Sequence, residues 1–559
     1  MNTLRFRGLK VLGFFSTLTS KLLSWFEQFI SRPVHPFFPA LYRVLYALAA
    51  LPVAYCTFTL SDFVWYGSSA DQLFWINASH SAWLAALIAL LLGIYPRIAA
   101  FYCMLAAPIL FDTSIGSNLL QIGAFWLLFM DSNQTLCFSA FKAKAPYRTL
   151  AWPFYLLALN LLVLECFSGI SKFFDPFWRN GLGFYYTLIQ PWLKPDFVSP
   201  VLDVQAFMVF FNYLAMSLQV MGLPLFFFQR TRFHSLFIIF GSYAFFTFPL
   251  RIDPIGPVGL ALTLPLFGIL FPVFDSEYRK LPSIISQKLA NSGLYSASLN
   301  KLPIRWLNLQ KILASVLVVF LSYFSFYTLL IALPERLDYP VAAYPFRKVG
   351  VVSPPLPKPL KLLQRDLTSL NRKTLIRDIN RYTMSIGFWS PFTFKHFLGR
   401  YLYRVTAHLK NGKTVEPFVV FNPEGSGGYE KSYLGQPSIL LNRMWLVGLL
   451  CHKISLDKYY RLSKEEDRLL RSLFYLTKNR LATREQSQIS YLSLLVKPIL
   501  VPNQYQGNVS PWNNIPYREL FRFDPQKAQY HVKEQSIPVN FQAVLQKYDQ
   551  TLVFDPFNQ

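Results

Sequence analysis

The residues with the most chemical promise lie inside apolar stretches. Glu165 and Lys172 belong to the segment Glu165-Cys-Phe-Ser-Gly-Ile-Ser-Lys172-Phe-Phe-Asp-Pro-Phe-Trp178-Arg-Asn-Gly181. A spacing of seven is about two helical turns, so both side chains fall on one helix face. A charge surrounded by lipid costs several kcal/mol, and an ionisable residue there is a functional hypothesis by default. A lysine flanked by Phe173, Phe174, Phe177 and Trp178 can be desolvated until its neutral amine serves as a base. The competing reading has Lys172 reaching toward headgroups beside an aromatic belt, with Asp175 as partner. Glu165 reads either as a protonated acid bonded to a neighbouring helix or as part of a proton relay. Asn212 and Gln219, again seven apart, either line a polar pocket or tie neighbouring helices together.

Other constellations offer less. The seven histidines show no metal-ligand spacing, and no metal is expected. The run Gly425 to Gly428 is a loop and not a phosphate cradle, because no Lys-Ser/Thr helix start follows it.

Composition says what must position these groups. Of 559 residues, 53% are hydrophobic and only 15% charged, with 54 Phe. Soluble domains carry roughly 25% charged residues, so a chain this apolar needs lipid to cover its surface. A soluble enzyme, a disordered chain and a collagen-like chain are excluded, and five cysteines are too few for a disulfide framework. The net charge of +25 is spread out: 22 basic against 12 acidic residues up to residue 333, and 32 against 17 after it. Without a long basic run this balance suits anionic lipid better than nucleic acid, which is not expected as a partner.

Apolar segments fall at 41–60, 82–95, 98–111, 118–131, 150–171, 204–228, 233–249, 257–274 and 311–333, where about 20 residues are needed to span about 30 Å. Pro96-Arg97 reads as a tight turn between two of them. Residues 1–40 read as a cytoplasmic amphipathic interfacial segment with Leu, Phe and Lys/Arg at helical spacing, retained and not cleaved. With that end inside, 18 of the first 22 basic residues fall on inner segments, leaving Lys172, Arg179, Lys194 and Arg251 outside. Residues 276–310 form a cytoplasmic loop, 311–333 the last span and 334–559 an extracytoplasmic domain. That domain opens with a Pro-rich linker from Pro340 to Pro359. Tyr401 to Leu409 alternate, Asn411-Gly412 supply a two-residue turn, and Val415 to Phe421 return, with Pro417 marking an edge strand. Helices are expected near 437–452 and 463–480, the second with Glu465 and Glu466 in its first turn. The expected fold is a polytopic α-helical membrane protein of about nine transmembrane helices with a C-terminal extracytoplasmic α+β domain, placed in a cell inner membrane.

Gly169-Ile-Ser-Lys-Phe-Phe-Asp-Pro-Phe-Trp-Arg-Asn-Gly181 resembles the Gly-x-x-Lys-Leu…Trp…Gly segment of the HTTM domain family, bacterial relatives of vitamin K-dependent gamma-glutamyl carboxylase. Ser31-Arg-Pro-Val-His-Pro with Tyr42-Arg-Val-Leu-Tyr resembles the lead into the family's first helix, and Asp112-Thr-Ser to Phe129-Met-Asp-Ser its fourth. The likeness covers roughly residues 30–275, with 41–275 as the transmembrane domain, and, more loosely, Gly387-Phe-Trp-Ser-Pro and the hairpin. It implies that Lys172 deprotonates a reduced quinone such as vitamin K hydroquinone. Oxygenation then yields a strong alkoxide base, which takes a proton from a substrate glutamate so that carbon dioxide adds. The enzyme hypothesis takes Glu165 and Asn118 as polar partners of Lys172 and Trp178 as a wall of the pocket, with Asn212 and Gln219 as candidate lining residues from their spacing. The sequence departs from the family at three places: Asn118 replaces a histidine, Glu165 a tyrosine, and Ser242-Tyr-Ala-Phe-Phe-Thr-Phe lacks a second histidine. The alternative is a non-catalytic scaffold whose extracytoplasmic domain binds a protein partner.

Overall fold

The computed structural model describes residues 33–34, 36–59, 61, 69–110, 115–133, 136, 149–173, 178, 181–188, 203–248, 255–270, 304–327, 401–418, 464–479, 481, 483–498, 518–525 and 529–532. The amphipathic segment before residue 33, the loop over 276–303, the Pro-rich linker, the 437–452 helix and Asp175 lie outside them.

The chain is mostly helical up to residue 327. A two-residue ladder pairs β1 (Pro33–Val34) with β2 (Thr149–Leu150). The helices are α1 (Phe37–Thr59), α2 (Ala70–Leu92), α3 (Pro96–Leu110), α4 (Ile115–Leu127), α5 (Trp152–Phe173), α6 (Gly183–Leu188), α7 (Gln205–Phe227), α8 (Arg232–Thr247), α9 (Ile255–Thr263) and α10 (Ile304–Tyr327). Within the described residues each expected apolar segment overlaps one of them. Among the described residues four helices, α1, α2, α5 and α7, are long and apolar enough to cross a membrane. At 1.5 Å per residue, 23 residues reach about 34 Å.

Several boundaries differ from the sequence reading for physical reasons. α2 starts twelve residues before 82, at Ala70, because a capping box forms: Gln72 N–H donates to Ser69 Oγ and Ser69 N–H to Gln72 Oε1. Pro96 is not a turn residue but opens α3, where its missing N–H is harmless. The turn precedes it, with Gly93 at φ 73° accepting the left-handed conformation that ends α2. The 257–274 segment is α helix only to Thr263; it continues as a 3₁₀ turn through Leu270, since Pro265 cannot donate to the α ladder. α10 begins at Ile304 and not at 311, and its Gln310 accepts from Trp152 Nε1 at 3.0 Å.

α5 is the centre of the helical body: 78% of its most apolar window is buried, against 22–50% for the other three long helices. It packs on α7, which packs on α8, while α1 packs on α2. Phenols tie α1 to α4, Tyr42 donating to the Gly123 carbonyl at 3.0 Å and Tyr46 to that of Leu120 at 2.9 Å. Phe74 and Trp75 on α2 and Phe207, Phe210 and Met221 on α7 are exposed, a surface that lipid covers better than water.

Residues 401–532 hold a five-stranded antiparallel sheet in the order β4-β3-β5-β6-β7: β3 (Tyr401–Leu409), β4 (Thr414–Phe418), β5 (Ile489–Pro498), β6 (Arg518–Asp524) and β7 (Gln529–Val532). β4, with Pro417, is an edge strand as expected. The turn holds three residues, not two: Gly412 N–H donates to the Leu409 carbonyl and Leu409 N–H to that of Lys413, with Gly412 at φ 81°. The return strand is described only to Phe418. α11 (Lys464–Asn479) covers one face, Phe474 stacking on Phe523 at 5.0 Å, and the short α12 (Thr483–Gln486) leads into β5.

Candidate functional site: a buried lysine–glutamine–glutamate chain

The site grows from a close approach of two helices. A Cβ on Gly169 would lie 2.9 Å from Val220 Cγ2, 3.0 Å from Gln219 Cβ and 3.2 Å from the Met216 carbonyl oxygen. Glycine there lets α5 and α7 approach until polar heads on facing stripes meet. On α5 the stripe is Glu165, Gly169, Lys172; on α7 it is Met208, Asn212, Met216, Gln219, Gly222. Both follow the three-and-four spacing of one helix face.

Gln219 bridges the two charged residues. Lys172 Nζ donates to Gln219 Oε1 at 2.7 Å, and Gln219 Nε2 donates to Glu165 Oε2 at 2.6 Å. A lysine offers only donors and a carboxylate only acceptors, so a carboxamide, carrying one of each, joins them. Exposure is 1% for Glu165, 3% for Lys172 and 6% for Gln219, so both ionisable groups are withdrawn from solvent. The reading of Lys172 as a headgroup-facing anchor does not fit this placement: its amine is turned into the protein. Burial on this scale is tolerable because the pair is net neutral and hydrogen-bonded. That holds in both proton arrangements, ammonium with carboxylate or amine with carboxylic acid, and the two bonds through Gln219 survive in each.

A second set of contacts puts an aromatic lid on the amine. Lys172 Nζ stands 4.6 Å from the Trp178 ring centroid, a cation–π distance. Asn212 holds that indole in place: its Nδ2 donates to the Trp178 carbonyl at 2.7 Å and its Oδ1 accepts from Phe184 N–H at 3.0 Å. Gly181, at φ 79°, makes the turn, and Gly183 gives the indole room, since a Cβ there would lie 2.3 Å from Trp178 Cδ2.

Five of the six expected site residues therefore converge, Lys172, Glu165, Gln219, Trp178 and Asn212. Asn118 is half-buried on α4, and no hydrogen bond between its side chain and those five is found among the described residues. Nearby α4 makes its own ties to α1 and, through Trp126 Nε1 at 3.0 Å, to Asn160 Oδ1 on α5. Sequence reasoning missed Tyr243 on α8, fully buried and within electrostatic reach of Glu165, and the spacer glycines 169 and 183. The glycines stood in or beside the Gly169–Gly181 motif, but only the helix crossing gives them a role. Among the described residues no three His, Cys, Asp or Glu side chains cluster as a metal site would need. Chemically the arrangement is an amine base with a matched acid, roofed by an indole and shielded from water.

No protein-family model, curated protein or solved structure matches this chain, so its functional reading rests on the geometry above.

Proposed function

We propose that this chain is a polytopic inner-membrane enzyme acting on a reduced, lipid-soluble quinone, with Lys172 as the base, in the manner of the HTTM and vitamin K-dependent carboxylase proteins it resembles. The observation that carries the reading is the buried Lys172–Gln219–Glu165 chain beneath Trp178. A salt link made only for stability gains little from burial, because desolvation offsets attraction, whereas a tunable amine needs such seclusion. In this reading nine helices cross the membrane, the N-terminus is cytoplasmic, Lys172 lies toward the outer leaflet and the sheet domain is extracytoplasmic.

The residues present suit a quinol. The indole of Trp178 offers a flat apolar wall, and Glu165 Oε1 and Tyr243 Oη are buried polar atoms without a protein partner. The reduced quinone supplies an acidic hydroxyl and the electrons for reaction with oxygen. Glu165 holds the amine through Gln219; in the arrangement of neutral amine with carboxylic acid, Lys172 takes the quinol's proton and the ammonium that forms is balanced by the quinol oxyanion left beside it. Asn212 positions Trp178, and Trp178 excludes water from the amine.

A scaffold reading draws on the same bonds: Gln219 spends both ends of its amide joining α5 to α7, which a purely structural clamp also does. The two separate on turnover. The purified protein in nanodiscs is given vitamin K hydroquinone or reduced menaquinone under oxygen; epoxide above a Lys172-substituted control supports the enzyme, and its absence leaves the clamp.

A further inference from the structure

We infer that Tyr243, Glu165 and Ser168 form a second polar pole of this site, a subsite that receives one hydroxyl oxygen of the ligand. The inference rests on the quinol reading above and extends it to a residue outside the Lys172 chain. Three polar atoms carry it: Glu165 Oε1, Ser168 Oγ and Tyr243 Oη are buried without a hydrogen-bond partner, on side chains 1%, 0% and 0% exposed. Buried polar atoms are nearly always paired, and orphans in the apolar interior of a helical membrane body are costly, so a set drawn from one face of α5 and from α8 packed on it points to a polar occupant.

Their placement is coherent. Ser168 is three residues after Glu165, on the same face of α5. Tyr243 comes from α8, which packs on α5, and interacts electrostatically with Glu165. Its ring is fixed: a Cβ on Gly259 would lie 2.0 Å from Tyr243 Cδ1, and Phe246 meets the ring edge-on at 6.2 Å. The phenol cannot swing away to find another partner. Glu165 Oε2 is already engaged by Gln219, which leaves Oε1 facing elsewhere. A carboxyl oxygen, a phenol and a serine hydroxyl between them accept and donate. A hydroxyl, which both gives and takes a hydrogen bond, satisfies that set, whereas an anion is repelled beside a carboxylate. Lys172 and Tyr243 then stand at the two ends of Glu165, one reached through Gln219 and one through Oε1.

The same oxygen could come from the ligand or from a resident water, and the test separates them. Wild-type protein and Tyr243→Phe, which keeps the packed ring, are placed in nanodiscs without oxygen and titrated with menadiol and with menadiol dimethyl ether. Wild type is expected to prefer menadiol, and Tyr243→Phe to bind menadiol about tenfold more weakly with its affinity for the ether unchanged, the loss of one hydrogen bond. Unchanged menadiol affinity in Tyr243→Phe overturns the subsite while the quinol reading stands. A thermal midpoint lowered equally with and without menadiol, at unchanged affinity, means a resident water only and overturns it too. Binding of neither compound by wild type removes the quinol reading itself and the subsite with it. Ser168→Ala provides a second variant should Tyr243→Phe not fold, with the same selective loss for menadiol expected.

Discussion

Replacing Glu165 and Lys172 singly and together by methionine separates a coupled pair from two independent polar residues. Methionine is unbranched and fills a site shaped for a long side chain. Lys172→Met alone leaves the Glu165 carboxyl, 1% exposed, without the Lys172 amine, and Glu165→Met leaves Lys172, 3% exposed, without the Glu165 carboxyl. Removing one member of a buried ion pair costs about 3–5 kcal/mol, since the survivor is an uncompensated charge. Two independent effects would sum to about 6–10 kcal/mol on the same scale. In the double variant no charge remains, and the only debt is the unpaired Gln219 amide, about 1–3 kcal/mol. Unfolding in mixed micelles, followed by tryptophan fluorescence across the four proteins, reads the cycle directly. The double variant is expected to be more stable than either single one. A double variant that costs the sum of the singles, or singles that each cost under about 1 kcal/mol, refutes the linkage through Gln219.

Three further outcomes follow from the neighbouring geometry. Gly183→Ala puts a Cβ 2.3 Å from the Trp178 ring, so the indole must leave the amine; a shifted Trp emission and a loss of about 1–3 kcal/mol are expected in the same micelle unfolding. Asn212→Leu strands the Phe184 N–H and removes one of the bonds to the Trp178 carbonyl, which keeps that from Gly181 N–H, and should cost about 1–3 kcal/mol there, with an unchanged emission spectrum counting against its role as the indole's anchor. In the sheet domain, burial lowers the pKa of His408, Glu519 opposes that shift and Arg522 adds to it, while the ring stacks on Tyr491 at 4.2 Å. A depressed histidine stabilises the fold fully above its unfolded value of about 6.5 and loses that contribution as pH falls through the folded value. Amide protection factors in β3 and β5 should therefore drop between pH 7.5 and 5.5, and less so in His408→Phe; equal drops in both proteins would exclude His408 as the cause.

Much of this organisation was legible beforehand, and the exceptions share a physical origin. Long apolar stretches betray helices because lipid and core tolerate the same residues, and among the described residues each of the nine stretches overlaps a helix. The start of α2 was hidden because Asp71, Gln72, Asn77, Ser79 and His80 dilute its apolarity, although Ser69-x-x-Gln72 was a readable capping signal. Asn411-Gly412 announced a turn, but whether it closes over two residues or three depends on the register of β3 and β4. At the site, the spacings 165/172 and 212/219 each placed two side chains on one face. Which face meets which depends on how helices pack, and periodicity within one helix says nothing of that. The bridging by Gln219 and the approach of Tyr243 belong to that second kind of information. For the same reason the roles of Gly169 and Gly183 show only once their neighbours are in place.

Turnover with vitamin K hydroquinone under oxygen, measured on wild type and on the Glu165→Met/Lys172→Met protein, tests the base assignment most directly. The double variant is chosen because its core carries no stranded charge and should remain folded. Oxygen-dependent epoxide from wild type and none above background from the folded double variant is the expected result. Equal epoxide from both proteins, or none from a wild-type sample shown to bind the quinol, contradicts the assignment of Lys172 as the base.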